Sequence, residues 1–340
     1  MSHRVRIAAS GHEFTVEEGE TVLDAAMRAG VNLPYGCQSG ACGACEGKVL
    51  EGSVHYDGPL PPALEEADAA QGVALFCQAI PETDLVIEVP EVEDTDDLEI
   101  KQLPAKVAVL EQVAHDVMLM KLKLPETERL QFLAGQYIDI LLEDGQKRAF
   151  SMANAPHDDE FIELHIRHVP GGTFTEYVFT RLKPKDMLRI EGPHGSFYLR
   201  EGNGRPIIMV AGGTGFAPLK AMIEHAFHVG LEPPIHLFRG VRAARDLYLP
   251  ELAEGWARDH KGFEYTPVLS EPMPEDDWQG ATGLVTDAVR ARYPDLSGFD
   301  VYLAGPPAMV EAAREAFTAC GLPREQLFSD AFEFASQKKK

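Results

Sequence analysis

The 340-residue chain lacks any apolar run close to the roughly 18 uninterrupted residues that a membrane-spanning helix needs. No signal-peptide apolar region follows Met1-Ser2-His3-Arg4, so the expected location is the cytoplasm. Basic residues are scarce where acidic ones abound. Residues 1–100 hold 4 Lys and Arg against 20 Asp and Glu, a net of −16 out of −23 for the whole chain. That balance excludes a nucleic-acid partner for this third of the molecule, because phosphate neutralisation needs Lys and Arg. Cysteine is rare outside one stretch: four of the five lie within residues 37–77. Such clustering is unlike a disulfide framework and points to a metal. No internal repeat is visible.

The length implies two or three domains. Residues 3–17 alternate apolar and polar twice around Ser10-Gly11, as a β-hairpin does. Thr21-x-x-Asp24 resembles a capping box, and the apolar residues after it predict a short helix ending at Gly30. A Gly-rich loop from Pro34 to Gly47 and a strand through Leu85, Ile87 and Val89 complete a β-grasp-like unit. Residues 91–99 (EVEDTDDLE) read as an acidic linker. Strands are then expected at 105–114, 117–124, 136–142, 147–153, 161–168 and 187–191, punctuated by Gly and Pro as in an antiparallel barrel. From Pro206 onward strands at 207–211, 235–238, 263–269 and 301–304 alternate with helical runs, which predicts a parallel doubly wound α/β sheet. The expected domains are residues 1–92, a linker at 93–103, 104–200 and 204–335.

Cys37, Cys42 and Cys45 have the spacing C-x4-C-x2-C, and Cys77 follows on a later strand segment. Two irons need four thiolates around a compact rhomb, so one loop wraps it and a distant residue completes it. The small residues between the ligands let backbone amides approach sulfur. The competing reading, a structural zinc, usually shows paired CxxC units or His ligands. Cys320, near a helix end, reads as a buried inert thiol. The stretch YGCQSGACGACEGKV resembles the cluster loop of plant-type ferredoxin domains fused to flavin reductases.

Arg148-Ala149-Phe150-Ser151, after Gly135-Gln136, resembles the R-x-Y-S flavin motif of the ferredoxin–NADP reductase superfamily. The resemblance implies that Arg148 meets the FAD diphosphate, that the Phe150 ring packs on the flavin and that Ser151 hydrogen-bonds near flavin N5. Phe150 departs from the family's tyrosine by one hydroxyl. Gly172, Thr173 and Thr175 open a helical run, a ready phosphate site that in the family takes the FAD diphosphate. Gly192-Pro193-His194-Gly195 matches the family's GPxG turn, and His194 reads as a solvated turn histidine.

The run IIMVAGGTGFAPLK is an apolar strand, a Gly-rich turn and a helix start. Gly212, Gly213, Thr214 and Gly215 let a pyrophosphate approach the backbone at a helix N-terminus, and Pro218 is tolerated in the first turn. The order matches the superfamily's GGTGxxP. Arg242 in FRGVR stands where the family contacts the dinucleotide, and Gly305, Pro306 and Met309 match its CGPPxM, with Ala304 replacing the cysteine. The neighbourhood of Arg242, Arg245 and Asp246 leaves NADH or NADPH open, with NADH expected. Phe332 or Phe334 is a candidate cover for the flavin, or else a core aromatic.

The resemblance spans nearly the whole chain. It implies a three-domain reductase carrying electrons from NADH through FAD and a [2Fe-2S] cluster to a protein acceptor, similar to oxygenase reductase components and to the CDP-6-deoxy-glucoseen reductase branch. The acidic N-terminal third is then either a solvated surface or a docking face for a basic redox partner. Two other readings stay open: a module whose cluster only stiffens its loop, and a free flavin reductase without a protein partner.

Overall fold

The structure is a computed structural model, and it describes residues 2–92 and 98–332. The chain divides into two compact units. Among the described residues, the first comprises 2–92 and 98 together with Gly195–Phe197 and 329–332, so that it includes the last three residues of the final strand; the second comprises the rest.

In the first unit, β1 (His3–Ile7) and β2 (Glu13–Val16) form the expected hairpin. Val5, Ile7, Phe14 and Val16 point inward while their neighbours face water. Helix α1 (Val22–Arg28) starts where the Thr21 side chain accepts from the Asp24 amide, and it buries Val22, Leu23, Ala25 and Ala26. There follow β3 (Glu46–Glu51), β4 (Val54–His55), the single turn α2 (Glu66–Ala69), β5 (Val73–Leu75), β6 (Ile80–Pro81) and β7 (Leu85–Glu88). The main sheet has the order β2-β1-β7-β3-β5, with β1 and β7 parallel. α1 lies over it and the core is continuous. This is the β-grasp arrangement expected from the hairpin, helix and late strand.

In the second unit, β8 (Lys101–Ala114), β9 (Val117–Lys123), β10 (Tyr137–Leu141), β11 (Lys147–Ser151) and β12 (Ile162–Arg167) precede α3 (Thr173–Thr180) and β13 (Met187–His194). The sheet order is β11-β10-β13-β8-β9-β12 and every pairing is antiparallel. A lone bridge from Met152 to Leu164 ties its two ends, closing the sheet toward a barrel. Two particulars differ from the sequence expectation. β8 begins at Lys101, and β13 runs on through Gly192 and Pro193 to His194, where a turn was expected.

The second sheet of this unit contains β14 (Ile207–Gly212), α4 (Phe216–Val229), β15 (Ile235–Val241), α5 (Pro250–Asp259), β16 (Phe263–Leu269), β17 (Ala281–Thr282), α6 (Val285–Arg292), β18 (Asp300–Gly305), α7 (Pro307–Ala319) and β19 (Leu327–Ala331). Its order is β17-β16-β15-β14-β18-β19, parallel from β17 through β18. β14 and β18 are buried along their whole length, as central parallel strands between helices must be. The order reverses at β14, so the crevice at its carboxyl end is the topological switch point where such sheets bind ligands.

Candidate functional site

The cysteine loop joins α1 to β3. Cys42, Cys45 and Cys77 are buried, Cys37 is half-buried, and all are free thiols. Backbone amides point at the sulfurs. Cys42 N and Ser39 N donate to Cys37 Sγ at 3.3 and 3.5 Å, and Cys37 N and Ala44 N donate to Cys42 Sγ, each at 3.4 Å. The bonds Cys37 accepts, led by that from Cys42, bring its thiol down to about 5. Cys45 is pushed up by its hydrogen bond with Cys77 and by burial, so the sulfurs converge in two neighbouring pairs. Gly40 is obligatory: its φ is +80° and a Cβ there would sit 2.7 Å from Pro61. Cys77 lies in the turn after β5 and not on a strand, because β5 ends at Leu75. Two segments from later in the chain, counted with this unit, brace the loop. Ser196 Oγ accepts from Tyr35 N at 2.7 Å, and the Ser329 hydroxyl donates to Cys42 O at 3.0 Å. Four converging thiols with amides directed at sulfur fit a two-iron cluster.

In the barrel, Arg148 is half-buried and donates to Lys147 O and Gln146 Oε1 at 2.8 and 2.6 Å. Among the described residues no carboxylate pairs with it, so its charge is available to an anion. Phe150, two residues on along β11, brings its ring within 5.6 Å of Phe174 in the first turn of α3. That contact gathers the flavin candidates Arg148, Phe150 and Ser151 near Gly172 and Thr173. Thr175 behaves differently from the sequence expectation. Its hydroxyl accepts from Val169 N at 3.1 Å and lies 3.2 Å from both Val169 O and Gly172 O, so it builds the turn from within. A guanidinium without a carboxylate partner, on the strand whose Phe150 meets the first turn of α3, fits the FAD diphosphate.

At the switch point a cleft of about 240 Å³ opens. Gly212, Gly213, Thr214, Arg242, Pro306 and Met309 line it, as the motifs predict. Gly215, Pro218 and Gly305 stand behind this lining. A Cβ on Gly215 would come 1.9 Å from Ala304 O, so only glycine lets the turn lie against β18. Ala304, where the family's cysteine would be, is fully buried. The sequence reading missed Asp116, Arg167, Tyr248 and Ser270 in the lining. Arg167 Nε donates to Asp116 Oδ2 at 2.8 Å. Asp246 is buried, its Oδ2 accepts from Ala243 N at 3.2 Å, and Arg242 Nε lies 3.4 Å away. Its Oδ1 makes no hydrogen bond but lies 3.6 Å from His115 Nε2. Arg245 is exposed and outside the lining.

Two further side chains depart from expectation. His194 is buried and not solvated, because β13 continues through it. Its Nε2 lies 3.5 Å from Glu191 and 3.8 Å from Asp139. Lys147 pairs closely with Glu191 and sits 3.9 Å from Asp139. Burial therefore leaves Asp139 raised to about 6, only partly offset by Lys147 and reinforced by Glu191. Cys320 caps α7 half-exposed and not buried. Phe332 is half-buried, while Phe334 and most of the expected linker, 93–97, lie outside the described residues.

Comparison with known proteins matches residues 5–82 to the 2Fe-2S iron-sulfur cluster binding domain, 104–198 to the oxidoreductase FAD-binding domain and 209–315 to the oxidoreductase NAD-binding domain. A CDP-6-deoxy-L-threo-D-glycero-4-hexulose-3-dehydrase reductase of Yersinia pseudotuberculosis is 40% identical over 332 residues, 98% of this chain and 99% of that protein. Reductase component 2 of a Comamonas terephthalate 1,2-dioxygenase is 37% identical over 98% of each chain. Among solved structures, the Amycolatopsis cytochrome P450 reductase GcoB superposes with a TM-score of 0.79 at 34% identity, covering 98% of this chain and 100% of that one. No helix among the described residues is long and apolar enough to cross a membrane.

Proposed function

From the premise that this chain belongs to the family of [2Fe-2S], FAD- and NAD-binding reductases within the ferredoxin–NADP reductase superfamily, we propose that it is fed by NADH in preference to NADPH and delivers electrons to a protein acceptor that docks on its acidic first unit. Asp246 carries the nucleotide preference. It lines the cleft beyond β15 with a carboxylate whose Oδ1 makes no hydrogen bond and lies 3.6 Å from His115 Nε2, and a carboxylate there would accept a hydroxyl and repel a phosphate. The second basic group that a 2′-phosphate would want, Arg245, stands outside the lining.

When bound, FAD would supply hydride acceptance and a two-iron cluster one-electron transfer, chemistry that the side chains themselves do not provide. The chain's own work is placement. Gly212, Gly213 and Thr214 give the pyrophosphate a backbone surface at the start of α4. Arg148 and the Gly172–Thr173 turn would hold the flavin's diphosphate, and Phe150 and Ser151 would hold its ring system. Cys37, Cys42, Cys45 and Cys77 hold the irons. Cys37 is the least buried of the four, so the cluster's exposed side is the natural exit. Exposed Glu65 and Glu66 in the same unit supply charge for a basic partner. The oxygenase and dehydrase systems named for the relatives give the class of acceptor, and the location we propose is the cytoplasm.

Anaerobic flavin reduction followed at matched NADH and NADPH concentrations tests the preference. NADH should reduce the protein faster, and Asp246→Ser should narrow the ratio by about tenfold, the size of one lost or gained polar contact. An unchanged ratio would remove Asp246 from the account.

A further inference from the structure

Behind the dinucleotide cleft runs a buried polar chain that neither the glycine turns nor the flavin segment requires. Glu163, His165 and Arg167 alternate along β12 and so share one face of the strand. Glu163 and His165 are buried, whereas Arg167 reaches the cleft. His165 Nε2 lies 3.1 Å from Glu163 Oε1, and its Nδ1 lies 3.0 Å from the hydroxyl of Tyr248. Tyr248 follows β15 and lines the cleft. Lys220 of α4 and Lys121 of β9 each approach the Glu163 carboxylate to 3.2 Å. Lys220 is itself tied to Ala153 O at 3.0 Å and to Glu224 at 2.9 Å. The Tyr248 ring lies 4.5 Å from the buried Arg239 guanidinium, which also stacks 3.9 Å from Phe216, the first residue of α4.

Donor and acceptor chemistry fixes the direction of this chain. Burial would raise Glu163, but the His165 hydrogen bond and the charges of Lys220 and Lys121 outweigh it and hold the carboxyl well below its usual range. An ionised carboxylate only accepts, so His165 Nε2 carries the proton. Burial depresses the imidazole and keeps it neutral, which leaves Nδ1 as an acceptor. Tyr248 must then donate its only hydroxyl hydrogen inward, to His165. Its oxygen then has only lone pairs left to offer, and Tyr248, although 2% exposed, is among the residues that line the cleft.

We propose that Glu163, His165 and Tyr248 form a positioning relay that fixes an acceptor-only phenol oxygen on the cleft wall, where it takes a hydrogen bond from an O–H or N–H donor of the dinucleotide. The proposal rests on the cleft being the dinucleotide site. The relay reaches from the barrel to the wall of the nucleotide sheet, so the strand that follows the flavin segment also sets the register of the nicotinamide cofactor. Arg239, stacked beneath Phe216 and Tyr248 without a carboxylate partner among the described residues, adds positive potential behind the same wall.

The test is calorimetric binding of NAD⁺ and of ADP-ribose to the cofactor-loaded protein, with steady-state NADH oxidation alongside. Tyr248→Phe keeps the ring and its stacking and removes only the hydroxyl. It should weaken NAD⁺ binding and raise the NADH KM by about tenfold while kcat stays within about twofold, as loss of one uniform binding contact does. His165→Leu should reproduce the loss, and His165→Gln, which again offers one donor and one acceptor, should restore binding to within about threefold of the parent. A loss shared by ADP-ribose places the donor on the ribose or adenine side, and a loss confined to NAD⁺ places it on the nicotinamide carboxamide. If the parent binds NAD⁺ and Tyr248→Phe binds it equally well, the relay is only structural and the proposal is wrong. If the parent binds neither ligand, the assignment of the cleft fails first.

Discussion

In the cysteine loop, three of the four proposed ligands fall between residues 37 and 45, and the amides that address the Cys37 and Cys42 sulfurs belong to the same loop. In the dinucleotide cleft, the lining runs from Asp116 to Met309 and draws on both the barrel and the parallel sheet. The loop is a local device whose chemistry is written in spacing. The cleft is a non-local one, where motifs supply the floor and strand pairing supplies the walls. The same contrast governs how each should fail. A local site loses one function and leaves the fold standing, whereas a wall of the cleft carries packing and binding together.

The sharpest break is Cys45→Ser. It should abolish the iron-sulfur absorbance and lower acceptor reduction by more than the roughly 10–100-fold that loss of an outer ligand contact costs. Flavin reduction by NADH should persist at close to the parent rate. Iron analysis and anaerobic stopped-flow absorbance check both halves, and an equal fall in flavin reduction would show that the two sites are not separable in this way.

Gly215→Ala probes the cleft's dependence on packing. With Ala304 O only 1.9 Å from the added methyl, the turn has to move. The expected cost is about 1–3 kcal/mol of stability, typical of overpacking, together with weaker NAD⁺ binding. Denaturant unfolding and calorimetry read the two effects. Normal stability with normal binding would mean that the turn is looser than its contacts imply.

A smaller effect concerns Asp139. Its carboxyl is raised in the fold to about 6, so the folded chain binds the proton more tightly than the unfolded one. Ionising it costs the fold free energy, absent below about pH 4 and fully present above about pH 6. Asp139→Asn should therefore gain stability over the parent across that window, by on the order of 1 kcal/mol after allowing for partial solvent screening. Urea midpoints at pH 4 and pH 7 test it, and a gain that is the same at both would point to another cause.

Alternation of apolar residues was enough to place the β-grasp hairpin, Gly and Pro punctuation marked the barrel strands, and apolar runs separated by helical stretches placed the parallel strands, whose two faces are both buried. β17 was invisible, being only two residues long, and β19 follows the last helix without a strong alternating pattern. The grouping of the four cysteines was legible from spacing, as was the place of Gly212 through Thr214, Pro306 and Met309 in the cleft lining. Asp116, Arg167 and Tyr248 were not, since they meet only when β12 and the turns after β8 and β15 come together. The clue for Tyr248 was slight: an aromatic residue just beyond the second parallel strand. His194 was misjudged because Gly and Pro before it read as a turn, while the strand in fact runs through all three and buries the ring.

The central claim is that reducing equivalents entering at the cleft reach the cysteine loop. Anaerobic addition of stoichiometric NADH, followed by visible and electron paramagnetic resonance spectra, tests it most directly. The account predicts bleaching of both flavin and iron-sulfur bands and the signal of a reduced two-iron cluster. Flavin bleaching with a cluster that stays oxidised, or a protein that retains no iron, would contradict it.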